Sequence, residues 1–336
     1  MKKVISCALL AAMLTTGVLY AERARAEVNE IRAAQQYGLS YLALMVMEDQ
    51  KLIEKHAKDG GIDLKVTWAK LGGPAAMNDA LLSGGLDFAS GGVPGLITLW
   101  SKTKDSPLAV KGVGALNNMP VELITSNPNV KSVKDFTEKD KIAVTSVKVS
   151  TQAMLLEQAA AQAFGKENFA KLDPLTVSLP HPEAMVALLS GSGAITAHFA
   201  SPPFSYTEKA KGFRVVAKNY DILGGRATFN VVWTTSKFAN ANPKAYAAFA
   251  AAFAEATDWI NKNKQAAAEL YKRMANTNET IEQLMQMLND PEIDMTLTPN
   301  KTMVTAEFME QIGTIKVKPA SWKDLFFPNV HNLPGS

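Results

Sequence analysis

Ala80-Leu81-Leu82-Ser83-Gly84-Gly85-Leu86-Asp87-Phe88 is the stretch whose reading decides the fold. A helical pattern over 74–83 stops at Gly84-Gly85, and an apolar run at 86–89 follows immediately. That run is short enough to be a buried strand. Pro94 then opens a second helix, at a first-turn position where the missing N–H costs nothing. Upstream, 28–35 alternates as a first strand and 62–68 as a second. Between them 40–56 carries Leu42, Met45, Val46, Leu52 and Ile53 at helical spacing. Downstream, 108–116 reads as a further strand. This βαβαβ rhythm predicts a parallel sheet with helices on both faces.

The rhythm then restarts. Strands are expected at 121–125, 141–145, 175–179, 194–199 and 213–217, with helices at 150–164, 182–189 and 202–210. Met77 with Ala80-Leu81-Leu82-Ser83-Gly84 is echoed by Met185 with Ala187-Leu188-Leu189-Ser190-Gly191. Each is followed by a short apolar strand and a proline turn, Gly92-Val93-Pro94 and Ser201-Pro202-Pro203. One helix–strand–turn–helix unit used in each of two lobes explains the echo. Coincidence between two alanine- and leucine-rich helices is the bland alternative. After a strand at 229–235 long helices dominate. Asn242-Pro243 starts one whose Tyr246, Phe249, Phe253, Ala256 and Ile260 form a stripe, and others follow at 265–274, 279–288 and 301–312. Such a tail is expected to pack back on the first lobe.

The first residues read as a secretion signal. Lys2 and Lys3 precede an apolar run at 4–20, and Ala24-Arg25-Ala26 suits cleavage before Glu27. The run is broken by Ser6, Thr15, Thr16 and Gly17, which argues against a membrane anchor. Cys7 precedes most of the run, where a lipidated cysteine should follow it. The only cysteine of the chain would leave with this segment, excluding a disulfide framework, a thiol nucleophile and a cysteine-held metal. The same segment carries four of the 35 Lys+Arg and one of the 32 Asp+Glu, so the remainder is charge-balanced. A balanced surface gives no basic face for nucleic acid or anionic lipid.

Motifs of catalysis are missing: there is no Walker loop, no G-x-G-x-x-G after a strand, no H-E-x-x-H and no G-x-S-x-G. The four histidines, His56, His181, His198 and His331, are scattered, with no second ligand at metal spacing. His56 at a polar helix end and His181 before a proline are expected to be solvated. His198 ends a predicted parallel strand, where ligands of open α/β sheets bind. It is read either as a ligand contact or as a core histidine satisfied by the backbone. Gly91-Gly92 occupies the matching edge of the first lobe, where glycine admits a ligand to the backbone and the helix opened by Pro94 offers free N–H groups. Ser150-Thr151 brings hydroxyls to a helix start, a pattern that ordinary N-capping also explains. Gln36-Tyr37 follows the first strand, and Asn117-Asn118 ends the fourth near the crossing between lobes. Lys148 and Arg226 are the nearby cations, read as solvated surface charges.

In their order and spacing these segments resemble the nitrate/taurine-type (sulfonate-binding-like) substrate-binding proteins of ABC importers. The resemblance is carried by 80–88, Ser132-Val133-Lys134-Asp135-Phe136, Lys141-Ile142-Ala143-Val144, 187–191, Ser201-Pro202-Pro203-Phe204 and the tail from Phe238 to Trp259-Ile260-Asn261. It implies a type II periplasmic-binding-protein fold of two α/β lobes joined by two hinge strands. The lobes would be 27–116 plus 220–336, and 117–219, hinged at 117–120 and 218–220. Solute contacts would fall on Gln36, Tyr37, Gly91, Gly92, Asn117, Asn118, Ser150, Thr151 and His198. The implied protein is a monomeric periplasmic receptor, without cofactor, metal or catalysis. It would pass a small solute (a sulfonate, an aromatic carboxylate or a neutral heterocycle) to importer permease subunits. The alternatives are an enzyme on the same scaffold, such as a pyrimidine-synthesis protein, and a receptor that signals to a sensor kinase.

Overall fold

The computed structural model describes residues 27–336. The expected signal segment lies outside the described residues. Four strands precede a first crossing: β1 (Glu30–Gln35), β2 (Lys65–Lys70), β3 (Ala89–Gly92) and β4 (Val110–Ala115). Five lie beyond it: β5 (Glu122–Thr125), β6 (Ile142–Val144), β7 (Thr176–Ser178), β8 (Ala197–Ala200) and β9 (Arg214–Lys218). The chain then returns as β10 (Asn230–Thr235). The helices that frame these strands are α1 (Leu42–Asp49), α2 (Leu52–Asp59), α3 (Pro74–Leu82), α4 (Val93–Thr103), α5 (Thr151–Phe164), α6 (His181–Leu189), α7 (Phe204–Ala210) and α8 (Asn219–Leu223). The tail contributes α9 (Ser236–Ala241), α10 (Pro243–Lys262) and shorter helices.

One sheet runs β7-β6-β8-β5-β9. On the other side β3-β10-β4 and β1-β2 are tied by a parallel bridge between Ala33 and Phe88, giving β2-β1-β3-β10-β4. Both sheets therefore have one order. The second, first and third strands of the unit are followed by the strand entering from the other sheet, and then by the fourth. The all-parallel expectation needs correction at that entering strand. β10 is antiparallel to β3 and β4, and β5 is antiparallel to β8 and β9. Neither follows a crossover helix of its own sheet, so neither is forced parallel. β5, β6, β8 and β10 are buried throughout, because helices cover both faces.

Two crossings connect the sheets, at 116–121 and 219–229, and they run side by side. Val121 and Asn219 exchange hydrogen bonds, and the Asn219 amide also donates to the Met119 carbonyl. Phe229 N–H donates to the Asn117 carbonyl. A tail segment clamps both crossings: Asn118 and Asp294 exchange backbone bonds of 2.8 and 2.9 Å, and Tyr220 donates to the Glu292 carbonyl. The short helix α8 in the return crossing was not anticipated from sequence.

The tail folds onto the first sheet's helices as its stripe requires. Phe249 of α10 stacks on Phe88 with ring centres 3.7 Å apart, and Phe253 meets Phe249 edge-on. Tyr246 sits at the edge of the stripe: its ring packs partly buried against the same core and Phe327, and its hydroxyl donates to Asn329. The start of α10 is capped from afar, since both oxygens of Glu27 accept N–H groups of Lys244 and Ala245. A carboxylate is favoured there because four N–H groups of the first turn have no helical partner.

Candidate functional site

The strand tips of the two sheets face each other around a buried cavity of ≈ 10 Å³. That is room for about one water. From the first sheet come Gln36 after β1, Gly92 ending β3 and Asn230 opening β10. From the second come Thr145 after β6, Ser150, Thr151 and Gln152 at the start of α5, and His181 at the start of α6. Pro74, Tyr41 and Phe229 complete the wall. Ser150 caps α5 by accepting the Ala153 N–H, which leaves the Thr151 and Gln152 N–H groups of that first turn without helical partners. Thr151 is 92% buried (8% exposed) and its Oγ1 has no hydrogen-bond partner among the described residues. A buried hydroxyl without a partner costs roughly 1–3 kcal/mol, so a ligand that supplies one recovers that cost.

The sheets meet closely here, and glycine permits it. A Cβ built on Gly92 would stand 2.0 Å from Thr151 Oγ1, and one on Gly73 would stand 2.5 Å from the Thr145 carbonyl oxygen. At Gly38 the chain takes a φ of 113°, and the next residue, Leu39, donates its N–H to the Pro202 carbonyl at 3.0 Å.

Of the nine residues expected to contact solute, Gln36, Gly92, Ser150 and Thr151 line the cavity. Gly91 lies just behind, against the Gln36 amide and the Trp233 ring. Tyr37 turns to a separate cavity of ≈ 350 Å³, shared with Lys70, Met185 and Phe204. Asn117 and Asn118 belong to the crossings: Asn117 donates to the Ser40 carbonyl, and Asn118 bonds Asp294, Thr228 and Asn300. His198 is fully buried in β8, one residue removed from the cavity. Lys148 and Arg226 are exposed and do not line it.

His181 overturns an expectation. Read as solvated, it is 5% exposed and stands in the cavity wall. Its Nε2 faces the Gln152 amide at 3.1 Å and the Ser201 hydroxyl at 3.3 Å, and its ring stacks on Phe204. Its Nδ1 lies 2.8 Å from His198 Nε2, and His198 Nδ1 lies 2.6 Å from Glu208 Oε1. Burial and the neighbouring His198 hold His181 well below the ordinary imidazole range, and burial lowers His198 to about 3. Burial, reinforced by Glu122, raises Glu208 to about 9. His56, also read as solvated, is half-buried against Glu255.

Gln152, His181 and Asn230 were not anticipated. The echo between the two units carried a signal for one of them. Aligning Ala187-Leu188-Leu189-Ser190-Gly191 with Ala80-Leu81-Leu82-Ser83-Gly84 sets His181 on Pro74, the first residue of each helix. Among the described residues no cluster of His, Cys, Asp or Glu suits a metal, and no helix is long and apolar enough to cross a membrane. Neither lysine nor arginine lines the cavity.

Two α/β sheets of one strand order, paired crossings and facing strand tips define the periplasmic-binding-protein fold. The chain belongs to the NMT1-like family, whose model matches residues 29–275. Similar folds are found in the alkanesulfonate-binding protein SsuA from Xanthomonas axonopodis pv. citri bound to MOPS. The TM-score is 0.68 at 16% identity, covering 90% of this chain and 97% of that one. The periplasmic aliphatic sulphonate-binding protein SsuA from Escherichia coli matches at TM-score 0.64 and 19% identity, over 89% and 92% of the two chains. The periplasmic nitrate-binding protein NrtA from Synechocystis PCC 6803 matches at 0.59 and 18%, over 77% and 70%. No curated protein matches the sequence.

Proposed function

We propose that this chain is the periplasmic solute-binding receptor of an ABC importer and not an enzyme. Its lobes are 27–116 plus 220–336, and 117–219, with the paired crossings as the hinge. Solute binds where the strand tips meet and draws the lobes together, because only the closed form lets both touch it. The observation that carries this reading is the unpartnered, buried hydroxyl of Thr151, set beside Gly92 of the opposite sheet in the shared cavity. The solved relatives named for binding sulfonates or nitrate lend it support. Cleavage before Glu27 fits the carboxylate of that residue capping α10. The wall offers amides, hydroxyls, a neutral imidazole and helix N–H groups but no cation, which suits a small solute rich in hydrogen-bond acceptors.

The test is a thermal-shift screen of purified mature protein over nitrate, sulfonates, aromatic carboxylates and neutral heterocycles. A binder of the native state raises the melting temperature. One class is expected to do so, and Thr151→Val is expected to reduce that shift. Turnover of a hit, or stoichiometric metal in the pure protein, would overturn the reading.

A further inference from the structure

The hydrogen bonds of the cavity wall continue inward as a single file through His181 and His198 to Glu208, all buried. We propose that Glu208, acting through His198, sets the tautomer of His181 and so decides whether the solute meets an N–H donor or a lone pair at His181 Nε2. The solute part of this rests on the receptor reading; the tautomer part does not.

A neutral imidazole has one N–H and one lone pair. Two in series must therefore point the same way. If Glu208 is protonated, its O–H donates to His198 Nδ1, His198 Nε2–H donates to His181 Nδ1, and His181 carries its proton on Nε2, facing the wall. If Glu208 is ionised, it accepts from His198 Nδ1–H, His198 Nε2 accepts from His181 Nδ1–H, and Nε2 of His181 becomes an acceptor. The second arrangement holds one proton fewer: the Glu208 proton passes to His198 Nδ1, the His198 Nε2 proton passes to His181 Nδ1, and the His181 Nε2 proton leaves through the cavity, so the negative charge rests on Glu208.

The far end of the file cannot choose. Its members are the Ser201 hydroxyl and the Gln152 amide, and Gln152 in turn faces the Thr145 hydroxyl at 3.1 Å. Gln152 points its NH2 group at His181 and its Oε1 at Thr145; turning that amide over lets it accept from His181 and donate to Thr145, and the Ser201 hydroxyl donates or accepts by rotation. Polarity is thus decided at Glu208, whose other oxygen, Oε2, has no partner among the described residues. The charged neighbours are few. Glu122 of β5 lies nearby and is paired with Lys209 at 2.7 Å, and beyond it the Tyr206 hydroxyl is held by Asp290. Phe204 closes the other side of His181 with its ring. Glu122 opposes a second negative charge, and burial favours the neutral acid. At neutral pH Glu208 is protonated and the solute meets a donor, matching acceptors such as a carbonyl, a ring nitrogen or an oxyanion. Above about pH 9 the file reverses. Glu208 is a positioning residue: it touches His198 and not the cavity.

The experiment is nitrogen NMR of the full mature protein labelled with ¹⁵N-histidine, titrated from pH 7 to pH 10.5 without solute. Expected are Nε2–H tautomers for both His181 and His198 at pH 7, switching together to Nδ1–H in the alkaline range. In Glu208→Gln no switch should occur. An Nδ1–H form of His181 at pH 7, or tautomers of the wild type unchanged through pH 10.5, would overturn the proposal. The wild-type titration decides even if the variant fails to fold. Failure here leaves the receptor reading standing, and a failed solute screen leaves this result untouched.

Discussion

Gly92 and Thr151 press together across the cleft so closely that a methyl group on the glycine would fall 2.0 Å from the threonine hydroxyl. Gly92 ends β3 of the first sheet, and Thr151 opens α5, which packs with the second. Gly92→Ala should therefore wedge the closed form open while leaving each lobe folded. A tenfold or greater loss of solute affinity (about 1.4 kcal/mol) is expected, with little change in the melting temperature of the unliganded protein. Calorimetric titration alongside melting curves checks both halves; a variant that binds as well as wild type would show that the lobes need not close at this point.

His181 is expected to matter to solute through its wall-facing Nε2. His181→Ala should weaken binding about tenfold, in line with roughly 0.5–1.5 kcal/mol for a hydrogen bond between neutral groups. His198→Ala, by contrast, leaves the Glu208 carboxyl and His181 Nδ1 without partners in the interior. Its cost should appear in stability as well as in affinity, and comparing the two variants by melting and titration separates the roles.

Stability should depend on pH through Glu208 in a fixed direction. The folded value is about 9 against an ordinary 4.5, so the folded state holds a proton that the unfolded state releases. Wild-type stability is therefore lost relative to Glu208→Gln as pH rises from about 4.5, and the difference levels off above about 9. The slope should approach about 1.4 kcal/mol per pH unit at its steepest. The histidines act oppositely: buried neutral, they favour unfolding as pH falls below about 6.5. Urea unfolding of both proteins at pH 5, 7 and 9 measures the difference; a constant gap would mean that Glu208 is ionised in the fold.

Phe249 ties the tail to the first sheet through its stacked contact with Phe88. Phe249→Ala should cost about 3–5 kcal/mol, the usual range for emptying an aromatic site in a core. Denaturant unfolding monitored by circular dichroism gives the number directly.

Most of this architecture was legible because its signals are local. Gly84-Gly85 stops α3, Pro94 and Pro243 start α4 and α10, and alternation marks β1 and β2. The antiparallel β5 and β10 were not legible, since strand direction depends on which sheet the chain comes from. At the site, glycine and hydroxyl residues at strand tips pointed to Gly92, Ser150 and Thr151. The path inward from the wall did not show. His181 precedes the proline of an expected helix start, where a solvated ring is the natural reading, yet α6 begins at His181 itself and the imidazole is buried. His198 looked like a tip residue because its strand was begun too early. β8 starts at Ala197, which puts His198 inside the sheet. Asn230 lies far along the chain and reaches the cavity only through its register with Gly92.

Closure on solute can be measured as a distance. Ala76 on α3 and Val186 on α6 are both exposed, near the cleft edge where Gly72 touches Pro180. The mature chain expected from the sequence has no cysteine to interfere, so spin labels can be placed at Ala76→Cys and Val186→Cys. Pulsed dipolar spectroscopy with and without a saturating hit from the solute screen should show the separation shorten to one narrow population. A separation unmoved by a solute that calorimetry proves bound would contradict two halves hinged around a shared binding site.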